Sequence, residues 1–129
     1  MKTRVKICCI QNIHEAETAI SFGASALGLV AEMPSGPGPI TDDLIRQIAV
    51  ATPPPVATFL LTSRTSVSEI TGHHRRTLTS TIQIVDALSA GTYAGLKEAL
   101  PGIKIVQVIH VIDEKSVEEA AKISLSVDA

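Results

Sequence analysis

The chain has 129 residues, enough for one domain. Hydrophobic residues make up 45% and aromatics 2%, with no tryptophan, so any core must be aliphatic, as in sheets buried on both faces. A formal charge of −2 excludes a bulk electrostatic footprint for nucleic acid, and no apolar run approaches a membrane span.

The opening stretch Arg4-Val5-Lys6-Ile7-Cys8-Cys9-Ile10 has apolar residues at 5 and 7 and two thiols where the run stops. A strand that turns directly into a helix is where α/β proteins place chemistry, at the carboxyl end of a parallel strand. The first helix is predicted from about Ile13 to Phe22, with Asn12 as N-cap, Glu15 at the capping-box position and Gly23 as the stop. Ser25 to Val30 is continuously apolar enough for a buried parallel strand.

Glu32-Met33-Pro34-Ser35-Gly36-Pro37-Gly38-Pro39 is the strongest loop signal. Thr41 then caps a second helix whose apolar face is Leu44, Ile45, Ile48 and Ala49, ended by Pro53-Pro54-Pro55. Val56 to Leu61 is a third strand, and Ser66 to about His74 a third helix that closes on His73-His74-Arg75-Arg76. Thr81 to Val85 is a fourth strand, Thr92 to Leu100 a fourth helix, and Ile103 to Ile109 a fifth strand. Asp113 caps a fifth helix from Glu114 to about Leu125.

Alternation of strand and helix means a parallel sheet with right-handed crossovers. Five β-α units fit two architectures: an open doubly wound sheet, or an α/β fold that is a partial or truncated (β/α)8 TIM barrel, since a whole barrel needs about 200 residues or more. The expectation is one barrel-type domain over residues 1–129, incomplete at its C-terminus. A partial barrel leaves sheet edges open, which favours a homodimer or a missing C-terminal part of the barrel. With no signal peptide at the start, a cytoplasmic location is expected. There Cys8 and Cys9 are free thiols. Neighbours on a strand point to opposite faces, so a disulfide between them is disfavoured, and their spacing does not suit zinc.

The opening Val5-Lys6-Ile7-Cys8, followed by a short loop and helix, resembles the phosphoribosylanthranilate isomerase family of tryptophan biosynthesis. The resemblance continues through Glu15-Ala16, Gly23-Ala24, Ala26-Leu27-Gly28-Leu29 and the Pro/Ser/Gly loop, and thinly through Val56–Leu61 and Gln83. It implies a (β/α)8 barrel and an Amadori rearrangement of N-(5-phosphoribosyl)anthranilate, a small sugar-phosphate substrate. It implies neither a cofactor nor a metal, and neither nucleic acid nor membrane as partner.

By this resemblance Cys8 is the general base. A thiolate suits a step that removes a proton from carbon beside an iminium. Cations favour thiolates, and Lys6 lies two residues before Cys8, on the same side of the strand. Lys6 and Gln83 are the substrate-binding candidates, and Arg64 after strand three could contact a carboxylate or phosphate. The family departs from this sequence at four places. It has Gly where Cys9 stands. It carries an Arg in the loop that here reads Ser35 to Pro39. It follows its strand-four Gln with Leu and His, where Ile84 and Val85 stand here. Its general acid is an Asp ending strand six, a strand that would begin here at about Asp128. The alternative is therefore a non-catalytic relative that binds a sugar phosphate or a partner chain.

Plainer roles compete at the remaining positions. Consecutive cations at a helix C-terminus, as in His73 to Arg76, complement the dipole. Asp86 and Asp113 fit turn and cap roles better than catalytic ones. The prolines around Gly36 and Gly38 make a stiff loop a better reading than an anion cradle.

Overall fold

The structure is a computed structural model and describes residues 2–129. Five strands alternate with five helices: β1 Lys6–Ile7, α1 Ile13–Ser21, β2 Ala26–Val30, α2 Asp42–Ala51, β3 Ala57–Thr62, α3 Val67–Thr77, β4 Thr81–Ile84, α4 Tyr93–Ala99, β5 Lys104–Gln107 and α5 Glu114–Ile123. All pairings are parallel, and the strands lie in chain order, β1-β2-β3-β4-β5.

That order decides between the two architectures. A doubly wound sheet reverses direction at a switch point and places helices on both faces. Here the order never reverses. Right-handed crossovers then stack every helix on one side, as in a barrel wall. The pairwise packing of α1 on α2, α2 on α3 and α3 on α4 follows the same sequence. The fold is five consecutive β-α units of a (β/α) barrel.

Alternation along the strands separates the two faces. Leu27 and Leu29 of β2, Leu60 of β3, Ile82 and Ile84 of β4 and Ile105 of β5 face the helices and are completely buried. They meet Ile45 and Ile48 of α2, Ile70 of α3 and Leu96 of α4, in two clusters, one around β2 and α2 and one around β4 and α4. The opposite, concave face carries Lys6, Gly28, Phe59, Gln83 and Val106, and Lys6 is exposed there.

The predicted caps form. Asn12 accepts from the Glu15 N–H at 2.8 Å, Thr41 from Leu44 at 3.2 Å, and Asp113 from Lys115 at 3.0 Å, while Thr92, expected as the first residue of its helix, caps it by accepting from Gly95 at 3.0 Å. Glu15 reaches back one residue further than expected and accepts from the Gln11 N–H at 2.7 Å. Gly23 follows α1 with φ +92°, the left-handed stop that glycine supplies without strain. The sixth-strand expectation near Asp128 has a structural counterpart. Ala129 bonds to the β5 edge, donating its N–H to the Ile105 carbonyl at 3.3 Å and accepting the Gln107 N–H at 3.0 Å. The Asp128 side chain accepts from the Ile105 N–H, which lies toward the amino end of β5, opposite the end where Cys8 lies.

One expectation is corrected. Among His73, His74, Arg75 and Arg76, only Arg75 and Arg76 are exposed cations at the end of α3. His73 is 3% exposed and belongs to the layer between α2 and α3. The helix runs on to Thr77, so this stretch forms its final turns. At that point one residue in the four faces inward, as helical periodicity requires.

Candidate active site

The candidate site lies at the carboxyl ends of the strands, around the end of β1. Regular pairing of β1 with β2 stops at Ile7. The Gly28 carbonyl then receives the Ile10 N–H at 3.3 Å, where an undisturbed ladder would offer it that of Cys9. One residue is thus inserted, and Cys9 takes a left-handed backbone, φ +60°. Such an insertion re-aims side chains at a strand end. It also removes the premise that the two cysteine side chains must diverge, because they do not sit on extended strand.

Cys8 is exposed, and its Sγ lies against the bare backbone of Gly28. A Cβ there would stand 2.6 Å from the sulfur and 3.0 Å from the Cys8 Cα. Cys9 is half-buried beneath the loop after β2. Its thiol donates to the Pro37 carbonyl at 3.7 Å, and Gly38, with φ +93°, passes so close that a Cβ would meet the Cys9 sulfur at 2.8 Å. Gln11 ties the same loop down by donating to the Gly38 carbonyl at 2.9 Å. Partial burial, and then the Cys8 thiol beside it, push the Cys9 thiol above the ordinary cysteine value. The glycines of this loop therefore serve close packing on Cys9, in keeping with the stiff-loop reading. On the side toward α1, Cys8 and Cys9 border an apolar cavity of about 470 Å³ lined also by Val5, Ile7, Ala19 and Phe22.

Two of the three predicted binding residues meet. Lys6 donates to the Gln83 amide oxygen at 2.5 Å and lies 4.6 Å from the centre of the Phe59 ring. This cation spans β1 to β4 across the concave face. Among the described residues its ammonium has Gln83 and the Phe59 face as partners, so it is held by the sheet itself and not by Cys8. Arg64 stands apart from this pair. It lines a separate cavity of about 490 Å³ with Glu32, Thr41, Asp42 and His73.

Behind Arg64 runs a polar chain that sequence reasoning missed. His73 Nε2 meets Asp42 Oδ1 at 2.9 Å, and His73 Nδ1 meets the Thr62 hydroxyl at 3.0 Å. That hydroxyl also accepts the Arg64 N–H at 3.2 Å, and Arg76 donates to the other Asp42 oxygen at 3.0 Å. Burial drives the His73 pKa below the usual histidine value, against the pull of Asp42. Burial alone would raise Asp42, but Arg76 and His73 together hold it below the ordinary carboxylate value. Thr62 is completely buried, so this chain of contacts positions the β3-α3 turn. An inward residue one turn before the end of α3, facing an acidic first turn of α2, was the signal available in the sequence.

His110, after β5, was also not singled out. It donates to the Val85 carbonyl at 2.9 Å at the same end of the sheet. Asp113 caps α5 through the Lys115 and Ser116 N–H groups, as expected for a structural residue. Asp86 is exposed, and its carbonyl receives the Gln107 amide at 3.0 Å.

A parallel sheet in strict chain order, with thiol, ammonium and amide groups toward the carboxyl ends of its strands, is the architecture of a (β/α)-barrel wall. Within that class the chain resembles the N-(5'-phosphoribosyl)anthranilate isomerases over all five of its β-α units. The isomerase of Methanocella arvoryzae is 27% identical over 127 residues, which is 98% of this chain and 60% of that protein. Isomerase 2 of Methanosarcina mazei is 29% identical over 110 residues, 84% of this chain and 49% of its own length. A crystal structure of phosphoribosyl anthranilate isomerase in complex with reduced 1-(o-carboxyphenylamino)-1-deoxyribulose 5-phosphate superposes with a TM-score of 0.75 at 24% identity, over 94% of this chain and 60% of that one. No family model matches the sequence. The chain thus spans between half and about 60% of the length of these relatives.

Proposed function

We propose that this chain supplies the base-bearing part of a phosphoribosylanthranilate isomerase. The observation that carries the reading is Cys8, an exposed thiol at the carboxyl end of β1, seated against Gly28. The curated relatives carry this activity by name, and the superposed enzyme holds a carboxyphenylamino-deoxyribulose phosphate.

The reaction needs two proton transfers. A proton delivered to the ribose ring oxygen breaks the ring carbon–oxygen bond and leaves an iminium. A base then takes the proton from the adjacent carbon, and the resulting enolamine becomes the ketose. Cys8 as thiolate fills the second role. Lys6 and Gln83, already joined across the concave face, present a cation and an amide to the hydroxyls of the opened sugar. Arg64 is placed to receive an anionic group at the mouth of its own cavity.

The test is the isomerase assay, read as loss of anthranilate-type fluorescence. Replacing the base should lower kcat by about 10²–10⁴-fold in Cys8→Ser with the melting temperature unchanged. Equal turnover by the two proteins would remove Cys8 from the mechanism. A second reading is favoured by the loop Ser35 to Pro39, which has no cationic side chain to meet a substrate carboxylate. On that reading the chain binds a sugar phosphate without converting it, and calorimetry would show binding by a folded protein that gives no turnover.

A further inference from the structure

We propose that Cys8 and Cys9 form a vicinal dithiol that peroxide closes to a disulfide, a reversible modification site at the carboxyl end of β1. On extended strand the two side chains would diverge. The inserted residue and the left-handed backbone at Cys9 abolish that alternation. The two cysteines are consecutive residues on this kinked backbone, and the Cys8 thiol acts on that of Cys9. Each sulfur is also backed by a glycine that could not carry a side chain, Gly28 under Cys8 and Gly38 over Cys9. Cys8 is exposed to an oxidant while Cys9 is half-buried. The chain has only these two cysteines, so Cys9 is the sole internal group that can resolve an oxidised Cys8.

The chemistry balances with hydrogen peroxide as oxidant. The Cys8 thiolate attacks one peroxide oxygen. A sulfur–oxygen bond forms, the oxygen–oxygen bond breaks, and the departing hydroxide takes up a proton as water. Cys9, giving up its proton, attacks the Cys8 sulfur. The sulfur–sulfur bond forms, the sulfur–oxygen bond breaks, and a second water leaves. The two thiols lose two electrons and the peroxide gains them. Consecutive Cα atoms lie about 3.8 Å apart, short of the ~4.4–6.8 Å usual for disulfides, so the product is strained and easily reduced. That suits a switch better than a staple.

The inference extends the reading of Cys8 as base, because a sulfur in a disulfide cannot take a proton, but its first test is independent of substrate. The reduced chain is treated with stoichiometric hydrogen peroxide, alkylated and weighed intact. The expected product is a monomer that has lost two hydrogens, resists alkylation at both sulfurs, and regains both thiols with dithiothreitol. In Cys9→Ala the same treatment should instead leave a sulfenic acid at Cys8 that dimedone traps. Three results would overturn the proposal: both thiols of the parent still alkylating, Cys9 alkylating while Cys8 carries oxygen, or a disulfide joining two chains. If the reduced protein turns over phosphoribosylanthranilate, peroxide should lower the rate by about 10²-fold or more, with dithiothreitol restoring it. If it shows no turnover, this chain does not complete the isomerase by itself, while the mass result still decides the dithiol.

Discussion

Gly28 shows how closely one residue can couple fold and chemistry. It lies in the middle of β2, paired with Phe59, and a strand glycine often marks a place where another backbone comes close. Here the neighbour is Cys8, and the missing side chain is what lets the sulfur sit at the strand end. Gly28→Ala should cost about 1–3 kcal/mol, because the added carbon meets Cys8 backbone as well as its sulfur. On the proposed isomerase reading it should lower kcat more than it raises KM, since it moves the proposed base, Cys8, and not Lys6 or Gln83. Denaturant melts and steady-state kinetics on one preparation separate the two effects.

His73 makes the second prediction at this scale. Its folded-state pKa lies below the unfolded value near 6.5, so the folded protein binds fewer protons as the pH falls through that range. The stability contributed by neutral His73 is complete above about pH 6.5 and is lost as the pH drops toward the lower folded value. Asp42 is lowered in the same sense, but its window lies below about pH 4. Urea melts between pH 7.5 and 5 should therefore show falling stability for the parent. His73→Gln should flatten that slope while lowering stability throughout, because Asp42 and Thr62 lose a partner. An unchanged slope would assign the titration to another group.

At the scale of elements, the helices were legible because their signals are local. Asn12, Thr41, Ser66, Thr92 and Asp113 all cap the helices that follow them. Asp113 carries a further test, since it was also the nearest substitute for a catalytic acid. Its carboxylate accepts the Lys115 and Ser116 N–H groups, and Ser116 in turn reaches the Asp113 N–H at 3.4 Å. Asp113→Ala should cost about 1 kcal/mol by loss of the cap and leave the proposed isomerase turnover where it was. A large fall in kcat would instead give Asp113 a chemical role. The fifth strand is shorter than its hydrophobic run, Ile103 to Ile109, suggested. Val106 and Val108 share one alternation, but pairing of β5 with β4 ends at Gln107, whose side chain binds the Ile84, Asp86 and Val108 carbonyls. A buried glutamine that ends a strand has no signature in hydrophobic pattern.

At the scale of the molecule, the sheet divides its helix-facing core into two clusters, one at β2-α2 and one at β4-α4. Ile48 and Ile105 belong to different clusters, and each is at most 1% exposed. Ile48→Val and Ile105→Val should each cost about 0.5–1.5 kcal/mol. The double variant should cost their sum within about 0.5 kcal/mol, as for sites that share no partner. Marked non-additivity would show that the sheet passes strain from one cluster to the other.

The sequence by itself determined the alternation of elements, their caps, the aliphatic core positions and the prominence of Cys8, because periodicity, capping and turn chemistry act within a few residues. It also carried the likeness to the isomerase relatives, concentrated in the first strand, helix and loop. Only the tertiary structure decided the strand order, which separates a barrel wall from a doubly wound sheet. It alone brought Lys6 to Gln83, 77 positions away. It set His73 between Asp42 and Thr62, and it turned Cys9 out of the strand to lie beside Cys8. Each of these depends on register and on contacts across the sheet or between helices, where the partner is fixed by packing in space and leaves no mark at a fixed spacing along the chain.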